Sequence, residues 1–237
     1  MAGPADQTTA GRAVRLAMKN AGLLQRGEEP NSDDYAEYLG RLGDLIAAWG
    51  VEGIKLWTNR EVSVTLVAGT ASYTLGPGGA ILTTKPLRVL GANFVDSSGN
   101  KTVLSPLSRT DYRALGNTTN RGAVNSYFVD KQQTNLVVYF WQVPDTTAAT
   151  GTVSVLYQAP ISAPTALTEN VEFPAEWFQA LSWGLADEIC TGQPQEIVTR
   201  CTQRAAVFKD TLQNWDIEDV PITFGLDASQ RGGSAFR

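Results

Sequence analysis

The sequence predicts an α+β fold: an antiparallel helical bundle, two helices at each end of the chain, with an inserted antiparallel β domain. Three observations lead there. Apolar residues recur every three to four positions up to Trp49, at alternate positions from about residue 60, and every three to four again from Pro174. Between those limits, clusters of Gly, Pro, Asn, Asp and Ser divide the chain into short segments, the pattern of a meandering sheet or small sandwich and not of βαβ crossovers. Residues 217–237 have no helical period. The expected organisation is a bundle from 10–58 and 174–216, a β domain over 59–173, and an extended C-terminal tail over 217–237.

The first helix is expected over 10–26, where Val14, Ala17, Met18, Ala21 and Leu24 repeat at helical spacing. Arg12, Arg15 and Lys19 recur on another face of it, a basic surface suited either to docking an acidic partner or to plain solvation. Gly27-Glu28-Glu29-Pro30 breaks the helix, and Asn31 or Ser32 can cap the next, with Asp33 and Asp34 favourably placed in its first turn. Its stripe is Tyr35, Leu39, Leu42, Leu45, Ile46 and Trp49, ending near Gly50 and Gly53. The short link predicts that these two helices pack as a hairpin.

Val62, Val64 and Leu66 then alternate with polar residues as a half-buried strand. Ala68–Ala71 reads as a turn that returns Ser72–Leu75 as its partner. Gly76-Pro77-Gly78-Gly79 is a loop. It has no following Gly-Lys-Ser/Thr, which argues against a phosphate cradle. Strands are expected at 87–94, 102–104, 126–129, 136–141 and 153–157. Asp96–Asn100 forms a hairpin turn between the first two, a helical turn lies near 110–115, and a hairpin connection runs through 144–152. Pro174 is expected to open a helix whose buried side is Trp177, Phe178, Leu181, Leu185 and Ile189. After Gly192-Gln193-Pro194 comes a last helix with Val198, Cys201, Ala205, Phe208, Leu212 and Trp215 in a heptad-like stripe, read as packing on a neighbouring helix.

Composition limits the chemistry. The chain has 237 residues and no histidine, so no Ser-His-Asp or Cys-His arrangement can be built, and the commonest ligand of transition metals is missing. No cofactor and no metal is expected. The formal charge of −5 does not suit phosphate neutralisation, but it suits a wall that DNA passes without sticking. Cys190 and Cys201 form no CxxC pair and read as small buried hydrophobes. The N-terminus lacks the basic-then-apolar order of a signal peptide. No apolar run approaches the ~20 residues of a membrane span. The expectation is a soluble protein made in the cytoplasm.

What remains for catalysis is a carboxylate pair, as in glycoside hydrolysis. Glu52, Glu61, Asp111, Glu188 and Glu196 fall near element ends, yet none sits in a motif that fixes a separation, and all read equally as surface acids. The tryptophans would serve a sugar-binding groove in a carbohydrate-binding β module, but Trp49, Trp141, Trp177, Trp183 and Trp215 lie in periodic segments and read better as core. In the tail, Ile222, Phe224, Leu226 and Phe236 are apolar anchors, the first three at alternate positions, in a segment with no helical period. Such a segment either frays or docks in extended form on a partner.

Longer strings carry more. The run from Val64 to Gly79, VTLVAGTASYTLGPGG, is one. Asp44–Trp49 followed by Glu52-Gly53, Lys85–Val89, Leu107–Tyr112, Leu136–Pro144 and Phe173–Trp177 follow in order. Together they resemble the phage tail accessory factor family, the head-to-tail adaptor (connector) proteins of short-tailed phages, over roughly residues 10–216. Asn125 departs from the pattern, where a proline is common, and the tail is not matched residue by residue. The resemblance implies a non-enzymatic structural virion protein of the tail or neck, assembled in the host cytoplasm. Copies would form a ring, typically a dodecamer, below the portal protein ring, extending the channel through which genomic DNA passes unread. The ring would seat a downstream tail nozzle or hub protein and, with it, tail fibres or spikes. In the family the C-terminal segment reaches the portal, the role implied here for Ile222, Phe224, Leu226 and Phe236.

Overall fold

A computed structural model describes residues 8–25, 27–52, 56–79, 81–82 and 84–215. Two hydrophobic clusters organise them, one helical and one between two sheets.

The helical cluster joins α1 (Ala10–Asn20), α2 (Ser32–Val51), α4 (Phe178–Ile189) and α5 (Gln195–Trp215). α1 stops earlier than expected. Gly22, at φ +75°, takes the left-handed conformation that a side chain resists. It donates to the Lys19 carbonyl, and Leu23 donates to that of Met18, a Schellman stop that satisfies the last carbonyls. At its other end, the amides of Ala10 and Gly11 donate to the carbonyls of Glu169 and Leu167, which settles donors a helix start leaves open. Asn31 caps α2, accepting from the Asp34 amide at 2.8 Å.

α4 is the central helix, packed on α1, α2 and α5, and α1 meets α4 more extensively than α2. The five expected residues Trp177, Phe178, Leu181, Leu185 and Ile189 are all buried. Pro174 sits before the helix and not at its first position: it is extended, and its carbonyl accepts from Trp177 to form the 3-10 turn Ala175–Trp177 that enters α4. Rings of Trp49, Trp57, Phe173 and Trp177 meet at centroid distances of 5.1–6.4 Å. On α5 only Cys201 of the stripe is fully buried. Val198, Ala205, Phe208 and Leu212 are half-buried, and the Trp215 side chain lies outside the described residues.

The second cluster is a sandwich. Its first sheet has the order β1 (Asn59–Thr65), β10 (Thr152–Gln158), β3 (Arg88–Val95), β4 (Lys101–Val103), all antiparallel. The second runs β2 (Ser72–Leu75), β8 (Leu136–Trp141), β7 (Ser126–Lys131), β5 (Ser105–Leu107). Here β5 pairs with β7 in parallel. The two-residue strands β6 (Arg121–Gly122) and β9 (Val143–Pro144) are also parallel. The helical turn is α3 (Arg109–Ala114), closed by a capping box between Ser108 and Asp111.

Two expected hairpins do not form. β1 and β2 lie in different sheets, as edge strands, and do not pair. The turn between them is tied down from both sides: the Gly69 amide donates to the Pro144 carbonyl, and the Val67 amide to the Tyr73 hydroxyl at 2.8 Å. The crossing lets Val64 and Leu66 cover the core from one sheet and Leu75 from the other, so both strands bury their apolar faces in one layer. The stretch 144–152 likewise carries the chain from β8 in one sheet to β10 in the other. The turn at Asp96–Asn100 does join a hairpin, β3 to β4; the Asp96 carboxylate accepts from the amides of Ser98 and Asn100.

Candidate docking surfaces

On α1, Arg12 and Arg15 are half-buried and Lys19 is exposed. The Arg12 guanidinium lies 4.9 Å from the Phe178 ring centre. Arg15 pairs with Glu29 at 2.8 Å. Lys19, in the last turn, complements the helix dipole. The three share one helix, but two are engaged within the chain. The tail anchors Ile222, Phe224, Leu226 and Phe236 lie outside the described residues. The helix before the tail lies within them: Lys209 on α5, six residues before its end, pairs with Glu52 after α2 and stands 5.5 Å over the Trp49 ring.

The five acids weighed for catalysis are all exposed, and three have engagements of their own. Glu52 holds Lys209, Glu61 accepts from the Ser154 hydroxyl, and Asp111 belongs to the capping box. Among the described residues, no group of three or more His, Cys, Asp or Glu stands ready for a metal. Cys190 and Cys201 are buried and unbridged. Burial raises both thiols, that of Cys201 to about 11, which leaves them protonated and poor nucleophiles.

Three surface features went unread in the sequence because each joins distant segments. Tyr112, Phe128 and Tyr139 stack on the second sheet with centroids 5.1–5.9 Å apart. Arg109 covers Phe128 and pairs with Asp130, so the platform is already occupied from within. A shallow apolar groove of about 510 Å³ lies between Tyr35, Ala36 and Leu39 of α2 and residues 165–167. A larger one, about 600 Å³, opens between the edges β1 and β2, lined by Val62, Val67, Tyr73 and Ile81 among others. Only the alternation of β1 pointed toward that last site, and alternation does not say which strand will be an edge.

Residues 12–216 match the SU10 adaptor protein family. The chain belongs to that family. The adaptor resemblance carried by the strings between Asp44 and Trp177 is thereby borne out, and the matched span takes in every helix and strand described above except the first two residues of α1. Among solved structures, a chain in "Neck of native GTA particle computed with C12 symmetry" is similar at 12% identity and a TM-score of 0.26, over 83% of this chain and 90% of that one. That likeness is too weak to carry an argument. No curated protein matches the chain. Among the described residues of this SU10 adaptor family member, no helix is long and apolar enough to cross a membrane.

Proposed function

We propose that this adaptor is a structural virion protein that forms a ring, a dodecamer, below the portal protein ring. It extends the DNA channel and seats the downstream nozzle or hub protein with its fibres or spikes. The observation that carries the reading is the family match over residues 12–216. The helical unit 10–58 with 174–216 and the β unit 59–173 act as two bodies of each copy, and the tail 217–237 docks on the portal through Ile222, Phe224, Leu226 and Phe236. Arg12, Arg15 and Lys19 offer a second, basic contact. The ring assembles in the host cytoplasm, works in the virion neck without a membrane, and performs no turnover.

A head-to-tail ring needs two different, complementary patches on each copy, and Val103, 79% exposed on the edge strand β4, is one apolar position open to such a contact. The excess of acids over bases disfavours retention of a phosphate backbone, so DNA passes without sequence-specific contact. The test is removal of 217–237. The shortened chain keeps the helical far-ultraviolet spectrum of the parent but no longer co-sediments with portal rings. Undiminished co-sedimentation contradicts the docking role of the tail.

A further inference from the structure

The edge strand β1 is long for an uncovered edge. It runs seven residues with no proline. Among the described residues it pairs only with β10, so alternate N–H and C=O groups of its outer side face away from the sheet. Beside it lies the groove of about 600 Å³ lined by Val62, Val67, Tyr73 and Ile81. The far edge of the same sheet is handled differently, by a strand of only three residues that carries Lys101, both of which discourage pairing.

One segment outside the described residues has the pattern to fill this site. Val220, Ile222, Phe224 and Leu226 are apolar at alternate positions across seven residues, with Pro221, Thr223 and Gly225 between them, a period of two that puts four apolar side chains on one face. Its proline fits as well. With the backbone groups of Ile222 and Phe224 turned to β1, Pro221 falls in the outward set, where a missing N–H costs no ladder bond.

A series of contacts links α5 to the start of β1: Lys209, six residues before the end of α5, stands over Trp49, Trp49 meets Trp177 at 6.3 Å, and Trp177 meets Trp57 at 5.1 Å, two residues before β1 begins. The five residues from Trp215 to Val220 span up to about 17 Å when extended.

We infer that residues 220–226 of the same chain add to β1 as a further strand, with Ile222, Phe224 and Leu226 turned into the groove between the sheets. One consequence rests on the portal reading: a portal that recruits these anchors must first lift them from β1, so docking and release of the edge are coupled.

Hydrogen exchange on the full chain tests the inference without any portal, so its failure is distinct from failure of the ring. Ile222→Asp/Phe224→Asp in the full chain is expected to speed exchange of the 59–65 amides by roughly tenfold, while α4 amides stay unchanged. Unchanged exchange at 59–65 overturns the inference. A second variant, Ser63→Cys/Thr223→Cys, is expected to form a disulfide within one chain under mild oxidation, with Cys190 and Cys201 remaining thiols. A link found only between two chains, or protection of β1 that grows with protein concentration, assigns the edge to a second copy and also overturns it.

Discussion

Single residues show most directly how the helical cluster is held. Gly184 on α4 lies where α2 crosses. A Cβ built there would stand 2.7 Å from Cζ2 of Trp49, and the Trp49 ring is 5% exposed with no room to retreat. In Gly184→Ala, overpacking costs about 1–3 kcal/mol against up to about 1 kcal/mol gained in helix propensity. The expected result is a net loss near 1–2 kcal/mol in urea unfolding. The thiols make a second case. Folding raises Cys201 from 9.0 to about 11 by burial, so the folded state favours the protonated thiol. Its contribution is complete below pH 9 and is lost as pH rises from 9 toward 11. Urea midpoints should therefore fall over that range more steeply for the parent than for Cys201→Ala, and equal slopes contradict the assignment. Both cysteines and the buried tryptophans were legible in the sequence, because helical spacing alone assigns a face. The service of Asp111 in a cap was not inferred, although Ser108 stands three residues before it, the spacing of a capping box.

At the scale of elements, the helices were legible and the strand partners were not. A helix satisfies its own backbone, so its period and stop signals are local. The misplaced end of α1, at Gly22 instead of Gly27, came from two glycines competing for one stop, decided by the Schellman bonds of Gly22 and Leu23. Strands satisfy theirs with distant partners. β1 and β2 have the turn and spacing of a hairpin, yet the core rewards sending them to opposite sheets, where Val64 and Leu75 both become buried. The short helix α3 is too brief to hold by propensity alone. Ser108 accepts from the Asp111 amide and Asp111 from the Ser108 amide. Ser108→Ala is expected to cost about 1 kcal/mol and to raise exchange of the α3 amides, with β7 beneath unaffected. No change in α3 exchange contradicts the cap.

On the scale of the whole molecule, the sequence resemblance and the family match agree on an adaptor, and the missing histidine no longer stands out. The ring proposed above would need surfaces and not a base, and under that proposal the charge of −5 suits a wall beside DNA and the exposed Val103 at the β4 edge suits a contact between copies. The candidate surfaces were harder to foresee than the fold, since grooves arise where residues far apart in the chain, such as Val62 and Ile81, come together. Native mass spectrometry of the protein alone and mixed with purified portal rings tests the central claim most directly. The account predicts a complex whose mass equals the portal ring plus a full ring of this chain. A mixture in which the portal mass is unchanged and this chain stays separate would contradict it.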